Sequence, residues 1–264
     1  MTGDLPSITI LTPSFNQGIY IERTIQSVLR QDYPNLEYFI LDGGSTDETL
    51  DILKKYDRYI NWVSEADGGQ SNAINKGIRK TKGDIIGIIN SDDTYEKGAL
   101  VSVGDYFANY QEALWVTGKC RTINDRDVEI RKAVTLYKNI MLRLKSHNVL
   151  LVLNYISQPA TFLRRNVIDL IGLLDENINY TMDYDYWLRI WKHKEPGFID
   201  RYLANFRLHS HSKSGTTAHL QFDEQLAVAK RYSNSKTLLA LHSLHNKLAT
   251  KIYKWFMDEG LTPE

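Results

Sequence analysis

Cysteine is nearly absent from this chain of 264 residues. The single cysteine, Cys120, excludes an internal disulfide framework and a zinc site built from cysteines. An isolated cysteine also suits a reducing compartment, so the cytoplasm is the expected location.

Segments that would cross a membrane or direct export are also absent from the pattern of residues. No run of about 18 apolar residues occurs, and residues 1–6 lack the basic start and the apolar stretch of an export signal. The sequence therefore predicts a protein that is neither exported by this route nor membrane-spanning.

Neither charge is in excess, because 32 lysines and arginines balance 32 aspartates and glutamates. Without a global field, we expect neither nucleic acid nor an acidic polymer as a partner. A composition of 42% hydrophobic and 24% charged residues can bury a full core, in one or two domains at this length.

Short β-branched runs alternate with helical patterns in the first half of the chain. The predicted strands cover residues 7–12, 36–41, 60–64 and 85–89, and the predicted helices cover 20–30, 48–56 and the region of 73–78. This alternation is typical of a parallel sheet covered on both faces. Pro13 is expected to end the first strand.

Polar loops follow these strands at their carboxyl ends, where open α/β sheets bind ligands. Asp42 comes before two glycines, so its carboxylate can project from a turn that a ligand approaches closely. A carboxylate there suits hydrogen bonding to a base or a ribose. The alternative is that Asp42 only stabilises the turn.

Four polar residues, Asn90, Ser91, Asp92 and Asp93, directly follow the strand at 85–89. Adjacent carboxylates repel unless a cation or ordered solvent compensates them. Their hard oxygens favour Mg²⁺ or Mn²⁺ over zinc and leave coordination positions for diphosphate oxygens. The alternative is that Asp92 caps the following turn.

A further acidic cluster begins the helix predicted for residues 183–191. Asp183 lies at the N-terminus, where the helix dipole stabilises an ionised carboxylate of the kind that a general base requires. Asp185 lies two residues on and faces another direction. Taken alone, each aspartate is also compatible with a simple helix cap.

The rest of the second half is less regular. We predict one or two helices over 136–153, strands over 158–163 and 202–209, the latter at a sheet edge, and a helical tail over 220–258. Gln158 and Trp187 are candidate ligand contacts, Trp187 because an aromatic face can stack on a ligand ring. Tryptophans at helical spacing are, however, also typical of a core.

The predicted tail carries an apolar stripe beside a basic one. The apolar members are Leu241, Leu244, Leu248, Ile252 and Trp255, and the basic members are Lys247, Lys251 and Lys254. Such a helix could lie on an anionic bilayer and bring the site to a lipid-linked acceptor. The alternatives are packing against the rest of the chain or against a second subunit, as in a homodimer.

Taken in order, these segments resemble the family 2 inverting glycosyltransferases of the GT-A fold. The matching segments are 10–16, 26–31, 41–47, 67–77, 90–93, 172–176 and 183–189, within a region of roughly residues 7–214. The chain departs from the family pattern at Asn90, where many relatives have aspartate, and at Met182, where many have glutamate. Both departures leave the proposed base and the proposed metal ligands in place.

The resemblance implies an α/β fold, namely the GT-A fold with a Rossmann-like, mixed and mostly parallel sheet flanked by helices and a C-terminal helical tail. It implies a catalytic domain over 1–215 and a helical extension over 216–264. The domain would divide into a nucleotide-sugar-binding half, 1–118, and an acceptor and base half, 119–215.

Site residues follow from the same resemblance. The nucleotide-binding residues would be Thr12, Pro13, Ser14, Asn16, Asp42, Asp67, Gln70 and Asp92. Asp92 and Asp93 would hold Mn²⁺ or Mg²⁺, with His209 as a further ligand, and Asp183 would be the general base.

The implied activity is inverting transfer of a sugar from a nucleoside-diphosphate donor to a hydroxyl of a glycan or lipid-linked acceptor, in cell-surface polysaccharide or glycoconjugate synthesis. A nucleotidyltransferase is one alternative, but it should carry a glycine-rich basic loop after the first strand, which residues 13–16 are not. A sugar-nucleotide-binding module without catalysis is the other.

Overall fold

The computed structural model describes residues 5–209 and 218–258, with side chains for 5–209 and 220–251. The strands are β1 (Ile8–Ser14), β2 (Leu36–Asp42), β3 (Asn61–Ser64), β4 (Ile85–Ile88), β5 (Thr94–Tyr95), β6 (Trp115–Ile123), β7 (Glu129–Ile130), β8 (Thr161–Arg164) and β9 (Gly197–Arg207). The helices are α1 (Gly18–Leu29), α2 (Thr49–Lys55), α3 (Gln70–Lys80), α4 (Ala99–Asn109), α5 (Lys132–Leu144), α6 (His147–Val152), α7 (Val167–Ile171), α8 (Met182–Trp191), α9 (Ala218–Tyr232) and α10 (Lys236–Asp258).

The strands form one sheet in the order β3-β2-β1-β4-β8-β6-β9-β5, and β7 pairs with β6. Strands β1 to β4 are parallel to one another, β8 runs against β4 and β6, and β9 runs parallel to β6. This mixed, mostly parallel sheet with helices on both faces confirms the predicted architecture. Strand β6 crosses residue 118, where a division into halves was predicted, and that division stays a prediction.

Alternation along the strands directs apolar side chains to two cores, one on each face of the sheet. Ile8 and Ile10 face the core under α1, α2 and α4. Leu11 faces the opposite core, to which α3, α6 and α8 contribute. A sheet covered on both faces leaves the strand ends as the place where polar loops gather.

The first strand continues through Pro13, which corrects the prediction that proline would end it. The Leu11 carbonyl accepts a hydrogen bond from Ile89 N, so the backbone polar groups of Leu11 point toward β4. The backbone of Pro13, two residues on, points the same way, but β4 has already ended at Ile88. The missing N–H of proline therefore costs no ladder hydrogen bond.

Strand β9 is longer than predicted and does not lie at the sheet edge, because β5 pairs with its outer side. Two-residue strands such as β5 leave too short a pattern for sequence alternation to reveal. The two helices α5 and α6 agree with the prediction for residues 136–153.

The C-terminal helices pack on the side of the sheet that carries α6 and α8. His242 Nδ1 lies 2.7 Å from the Leu151 carbonyl, and Asn246 Nδ2 donates to the Phe222 carbonyl at 2.8 Å. The predicted stripe faces the other way, since Leu241, Leu244 and Leu248 are exposed. The side chains of Ile252, Lys254 and Trp255 lie outside the described residues.

Across the described ranges, we find no helix both long enough and apolar enough to span a membrane.

Candidate active site

The loops that follow β1 to β4 meet at one edge of the sheet. Gly43 N donates to the Ser14 carbonyl at 2.8 Å, which joins the first two loops. A Cβ at Gly43 would lie 3.0 Å from a carboxylate oxygen of Asp67, which places the third loop against the second. Gln70 Nε2 donates to Asn90 Oδ1 at 2.7 Å and so links the third loop to the fourth.

The residues predicted from the first loop divide into two groups. Thr12 is completely buried with its hydroxyl 3.2 Å from that of Tyr38, so it belongs to the sheet interior and does not line a pocket. Pro13 is also buried. The Ser14 hydroxyl, in contrast, is buried with no hydrogen-bond partner in the described part of the chain. An orphaned hydroxyl at a ligand-binding edge is a group that a ligand can satisfy.

Asn16 orders the loop. Its backbone is in the left-handed region, with φ of 52°. Its side-chain oxygen accepts from Thr46 N at 2.9 Å, while its own N–H donates to the Ser45 hydroxyl at 2.7 Å. These contacts hold the first loop against the second.

Asp42 is buried and stabilises the turn, which is the alternative given above for this residue. Its carboxylate accepts from Gly44 N at 3.1 Å, from Ser45 N at 2.9 Å, and from the hydroxyls of Ser45 and Ser64. The contact of this carboxylate with a base or ribose stays a prediction. Asp67 is half-buried and accepts from Gly69 N at 2.7 Å.

The two aspartates of the fourth loop lie in different environments. Asp93 is completely buried, and its carboxylate accepts from Arg207 N at 2.8 Å and from Asn90 Nδ2 at 3.3 Å. Burial and the neighbouring Asp92 charge raise the pKa of Asp93 well above its ordinary value. Asp93 therefore supports the loop from behind, and the structure does not bring it to the cleft as a metal ligand.

Asp92 instead meets His209. Its Oδ2 lies 3.0 Å from His209 Nε2, across 117 positions of sequence. The His209 ring also lies against Tyr20, with 4.4 Å between ring centroids, and the Tyr20 hydroxyl donates to Asp125 at 2.9 Å. The imidazole is thus held in place beside the carboxylate.

Arg207 is a completely buried residue that the predicted site did not include. Its Nε donates to the Asp92 carbonyl at 2.8 Å, and its Nη1 donates to the Asn124 carbonyl at 2.7 Å. Its Nη2 donates to Asp127 at 2.6 Å. Arg207 lies two residues before His209 in the sequence, but its hydrogen-bond partners are too distant in sequence to be read from a single chain.

Asp183 lies half-buried in the first turn of α8. Burial raises its pKa, and the Tyr184 N–H opposes that shift in part. Two further groups also favour the ionised form: the Asn154 amide, which donates to Asp183 Oδ2 at 3.3 Å, and the Lys138 ammonium. A carboxylate with a raised pKa is suited to accept a proton near neutral pH.

Lys138 and Asn154 are also absent from the predicted site. Burial lowers the pKa of Lys138, whose Nζ donates to the Ser157 hydroxyl at 3.1 Å. The side-chain amide oxygen of Asn154, Oδ1, is buried with no partner among the described residues. Sequence pattern could not identify Lys138, because the apolar residues of α5 would be expected to face the core and leave the lysine in solvent.

Lys138 favours the ionised form of Asp183 and also acts on Cys120, where it lowers the pKa of the thiol while Asp93 raises it. Gln158 Nε2 donates to the Ile88 carbonyl at 2.6 Å, directly before the fourth loop. That Asp183 and the Asp92–His209 pair line one cleft stays a prediction.

Trp187 requires a correction. It is 2% exposed and stacks on Trp115 with 5.5 Å between ring centroids, so it belongs to the core and not to the acceptor side. Helical periodicity could not distinguish a core residue from an acceptor contact, because a residue in either role would lie on the inner face of α8.

A carboxylate from α9 fixes the segment before Asp183. Glu224 accepts hydrogen bonds from the backbone N–H groups of Asn179, Tyr180 and Thr181 at 2.7 to 2.9 Å, and from the Thr181 hydroxyl. These donors precede the first turn of α8, where unpaired N–H groups favour a negative charge.

A separate groove of about 910 Å³ includes none of the predicted site residues. Part of its charge is neutralised within the protein, because Arg121 forms ion pairs with Glu96 and Glu129. The edge with the orphaned hydroxyl, the carboxylate–imidazole pair and the perturbed base is therefore the stronger candidate.

Residues 9–172 match the model for glycosyl transferase family 2. The chain belongs to this family. The match ends before Asp183 and His209, so the placement of these two residues in the site rests on the geometry described above.

Two relatives illustrate the family. The uncharacterized glycosyltransferase RP339 of Rickettsia prowazekii is 26% identical over 223 residues, which are 83% of this chain and 69% of the relative. A glycosyltransferase of Bacillus subtilis named for teichuronic acid biosynthesis, TuaG, is 34% identical over 122 residues, which are 45% of this chain and 48% of that protein. The chain is accordingly a glycosyltransferase, which decides against the nucleotidyltransferase alternative.

Solved structures show the GT-A fold. Staphylococcus aureus TarS, residues 1–349 with UDP-GlcNAc, superposes with a TM-score of 0.67 at 17% identity, over 87% of this chain and 67% of TarS. The mannosyltransferase PcManGT from Pyrobaculum calidifontis, with GDP-Man and Mn²⁺, gives 0.67 at 18% identity, over 98% of this chain and 76% of PcManGT. The predicted fold class is confirmed.

Proposed function

We propose that this glycosyltransferase inverts the configuration at the transferred sugar, with Asp183 as the general base. The observation that carries the proposal is the environment of Asp183, a half-buried carboxylate whose pKa is raised by burial and whose ionised form is favoured by Asn154 and Lys138. Such a carboxylate can take the proton of an acceptor hydroxyl as its oxygen attacks.

The reaction is a single displacement. The acceptor oxygen forms a bond to the anomeric carbon while its proton passes to an Asp183 oxygen. The bond from the anomeric carbon to the diphosphate breaks on the opposite face, and its electron pair leaves with the nucleoside diphosphate. Asn154 and Lys138 keep Asp183 ionised until the hydroxyl arrives, since both favour its charged form.

A divalent cation, Mn²⁺ or Mg²⁺, fits Asp92 and His209. Within residues 5–209 and 218–258, no group of three or more histidine, cysteine, aspartate or glutamate side chains is arranged to hold a metal. A carboxylate and an imidazole can nevertheless share an ion whose other ligands are diphosphate oxygens and water. A bound cation would neutralise charge that grows on the leaving diphosphate.

The donor half is assigned to the loops after β1, β2 and β3. Ser14, Asn16, Asp67 and Gln70 lie at that edge, and the unpaired Ser14 hydroxyl supports a polar ligand there. The neighbours in fold carry UDP-GlcNAc in one case and GDP-Man in the other. Because these bases differ, the base of the donor of this chain is left open.

We assign the acceptor to a glycan or a lipid-linked precursor of a cell-surface polysaccharide or glycoconjugate, at the cytoplasmic side of the membrane. The relative named for teichuronic acid biosynthesis supports this class. The exposed Leu241, Leu244 and Leu248 of α10, beside exposed Lys247 and Lys251, support peripheral contact with a membrane. A homodimer through the same stripe is the alternative.

A thermal-shift panel tests the donor assignment. UDP-, GDP-, dTDP- and CMP-sugars are added with and without Mn²⁺, and we expect one base to raise the melting temperature more strongly when Mn²⁺ is present. The Ser14→Ala variant should reduce that rise. A panel in which no sugar nucleotide stabilises the protein contradicts the donor site.

A further inference from the structure

Helix α5 has its polar side inside and its apolar side outside. Thr135 and Asn139 are buried and Lys138 is half-buried. Leu142 is the one apolar side chain that α5 buries fully among them, whereas five large apolar side chains of the helix are exposed: Val134, Leu136, Tyr137, Ile140 and Leu144, with Leu136 62% and Ile140 47% exposed. A surface helix of a globular protein normally has the opposite arrangement.

The polar residues on the inner side of α5 are explained by their contacts with the candidate active site and with β9. Lys138 acts on Asp183 and bonds to Ser157, and Asn139 Nδ2 donates to the Tyr202 hydroxyl at 3.1 Å. The outer face has no such explanation, because five exposed apolar side chains on one helix cost solubility. A surface of this kind is retained where it contacts an apolar medium or partner.

The sequence around this face is basic. No aspartate or glutamate occurs between Glu129 and Asp169. Lys132 at the start of α5 and Lys145 just after its end are both exposed, while Arg143 is paired with Asp200 from β9. The exposed apolar side chains of α5 thus lie in a segment that has lysines at both ends and no acidic residue of its own.

We infer that the outer face of α5 rests on an anionic phospholipid bilayer. The apolar side chains would enter the boundary between head groups and acyl chains, and Lys132 and Lys145 would meet anionic head groups. Since the inner face of the same helix contacts the surroundings of Asp183, this contact places the base side of the cleft at the membrane surface.

Charge favours a bilayer over a second copy of the chain. A symmetric dimer through this face would bring the same basic patch toward itself. Like charges across an interface are unfavourable, whereas an anionic surface compensates them. The surface is also separate from the α10 stripe, so the two contacts can be tested independently.

The test is co-sedimentation of the full chain with vesicles, and it needs no sugar transfer. Phosphatidylcholine vesicles are compared with vesicles that also contain phosphatidylglycerol. We expect binding to the anionic vesicles, weakened by added salt. The Leu136→Asn/Ile140→Asn variant should reduce partitioning by at least about tenfold. Lys132→Gln and Lys145→Gln should each reduce it roughly fivefold.

Controls separate this surface from others. Leu170→Asn replaces an exposed leucine on α7 and should bind as the unaltered protein does. Leu241→Asn/Leu244→Asn alters α10 alone and should leave the α5 contribution in place. Circular dichroism melts verify that each variant is folded.

Three results overturn the inference: equal binding to both vesicle types, loss of binding only in the α10 variant, or unchanged vesicle binding in the α5 variant. Sedimentation equilibrium identifies the competing occupant. A dimer that the α5 variant dissociates, without an effect on vesicles, assigns the face to a second copy. Because transfer is not measured, failure here leaves the proposed function untouched, and failure of transfer leaves this result untouched.

Discussion

The donor-side loops and the base-side cluster differ in how fully their polar groups are bonded within the protein. Around Asp42 and Asn16, carboxylate and amide oxygens already accept hydrogen bonds, and Ser14 is the exception. On the base side, the side-chain oxygens of Thr135, Asn139 and Asn154 are buried without partners among the described residues. The donor-side loops are thus already ordered by internal hydrogen bonds, whereas the proposed base side keeps buried oxygens that are not bonded within the described residues.

The unpaired polar groups of the base side also lower the stability of the fold. Each buried polar group without a partner costs about 1–3 kcal/mol of stability. The same region carries Asp183 with a raised pKa and Lys138 with a lowered one, both shifted by burial. Ionisable groups with shifted pKa values are typical of functional sites, which is consistent with the proposal that Asp183 is the general base.

The largest expected effect is on Asp183. Asp183→Asn should reduce transfer by about 10²–10⁴-fold, because it removes the proton acceptor. The donor dissociation constant should stay the same, since Asp183 acts on the acceptor. Calorimetry and initial rates measure the two quantities. Asp169→Asn, an exposed change on α7, is the control, and near-normal turnover of Asp183→Asn refutes the assignment.

The second-largest expected effect distinguishes Asp92 from Asp93, the two aspartates of the fourth loop. Asp92→Asn should abolish the Mn²⁺-dependent part of donor stabilisation and lower kcat/KM by at least about 100-fold, since loss of an outer-shell partner alone costs up to that much. Asp93→Asn should keep the Mn²⁺-dependent part of donor stabilisation, because the Asp93 carboxylate already accepts hydrogen bonds from Arg207 N and Asn90 Nδ2. Thermal shift with and without EDTA measures both, and the reverse pattern would assign the metal to Asp93.

A pH profile tests the electrostatics of the base. Transfer should fall as Asp183 is protonated, and because burial raises its pKa, this fall begins at a higher pH than for an ordinary aspartate. Asn154→Ala removes a donor to the ionised form, so the acid limb of kcat/KM should move to still higher pH. Asn177→Ala, at an exposed position, should not move it, and an unshifted limb in Asn154→Ala would show that this amide does not tune the base.

The local pattern of apolar and polar residues predicted most of the fold. Alternation and helical spacing located β1 to β4 and the loops after them, and these loops hold the donor-side residues. What local pattern does not contain is pairing across the chain. Arg207 with Asp92, and Glu224 with the segment before Asp183, join positions far apart in sequence. Neither contact has a periodicity that a single sequence displays.

Residue type also does not determine how deeply each side chain of the candidate site is buried. An aspartate after a strand is compatible with a ligand contact or with a turn, and only the coordinates place Asp93 behind the loop and Asp92 in front. The same holds for Thr12, which belongs to the sheet interior. Residue chemistry thus selected the loops of the candidate site, while the direction of each side chain depended on packing.

The smallest expected effect concerns Trp187, which the structure places in the core. Trp187→Phe removes part of a ring stacked on Trp115, but it also removes a buried indole N–H without a partner among the described residues. The two changes oppose each other, so unfolding should become easier by only about 1–2 kcal/mol. Transfer should stay within roughly twofold of the unaltered protein, since no reacting group moves. Chemical denaturation and acceptor KM measure the two effects, and a large rise in acceptor KM at unchanged stability would return Trp187 to the acceptor side.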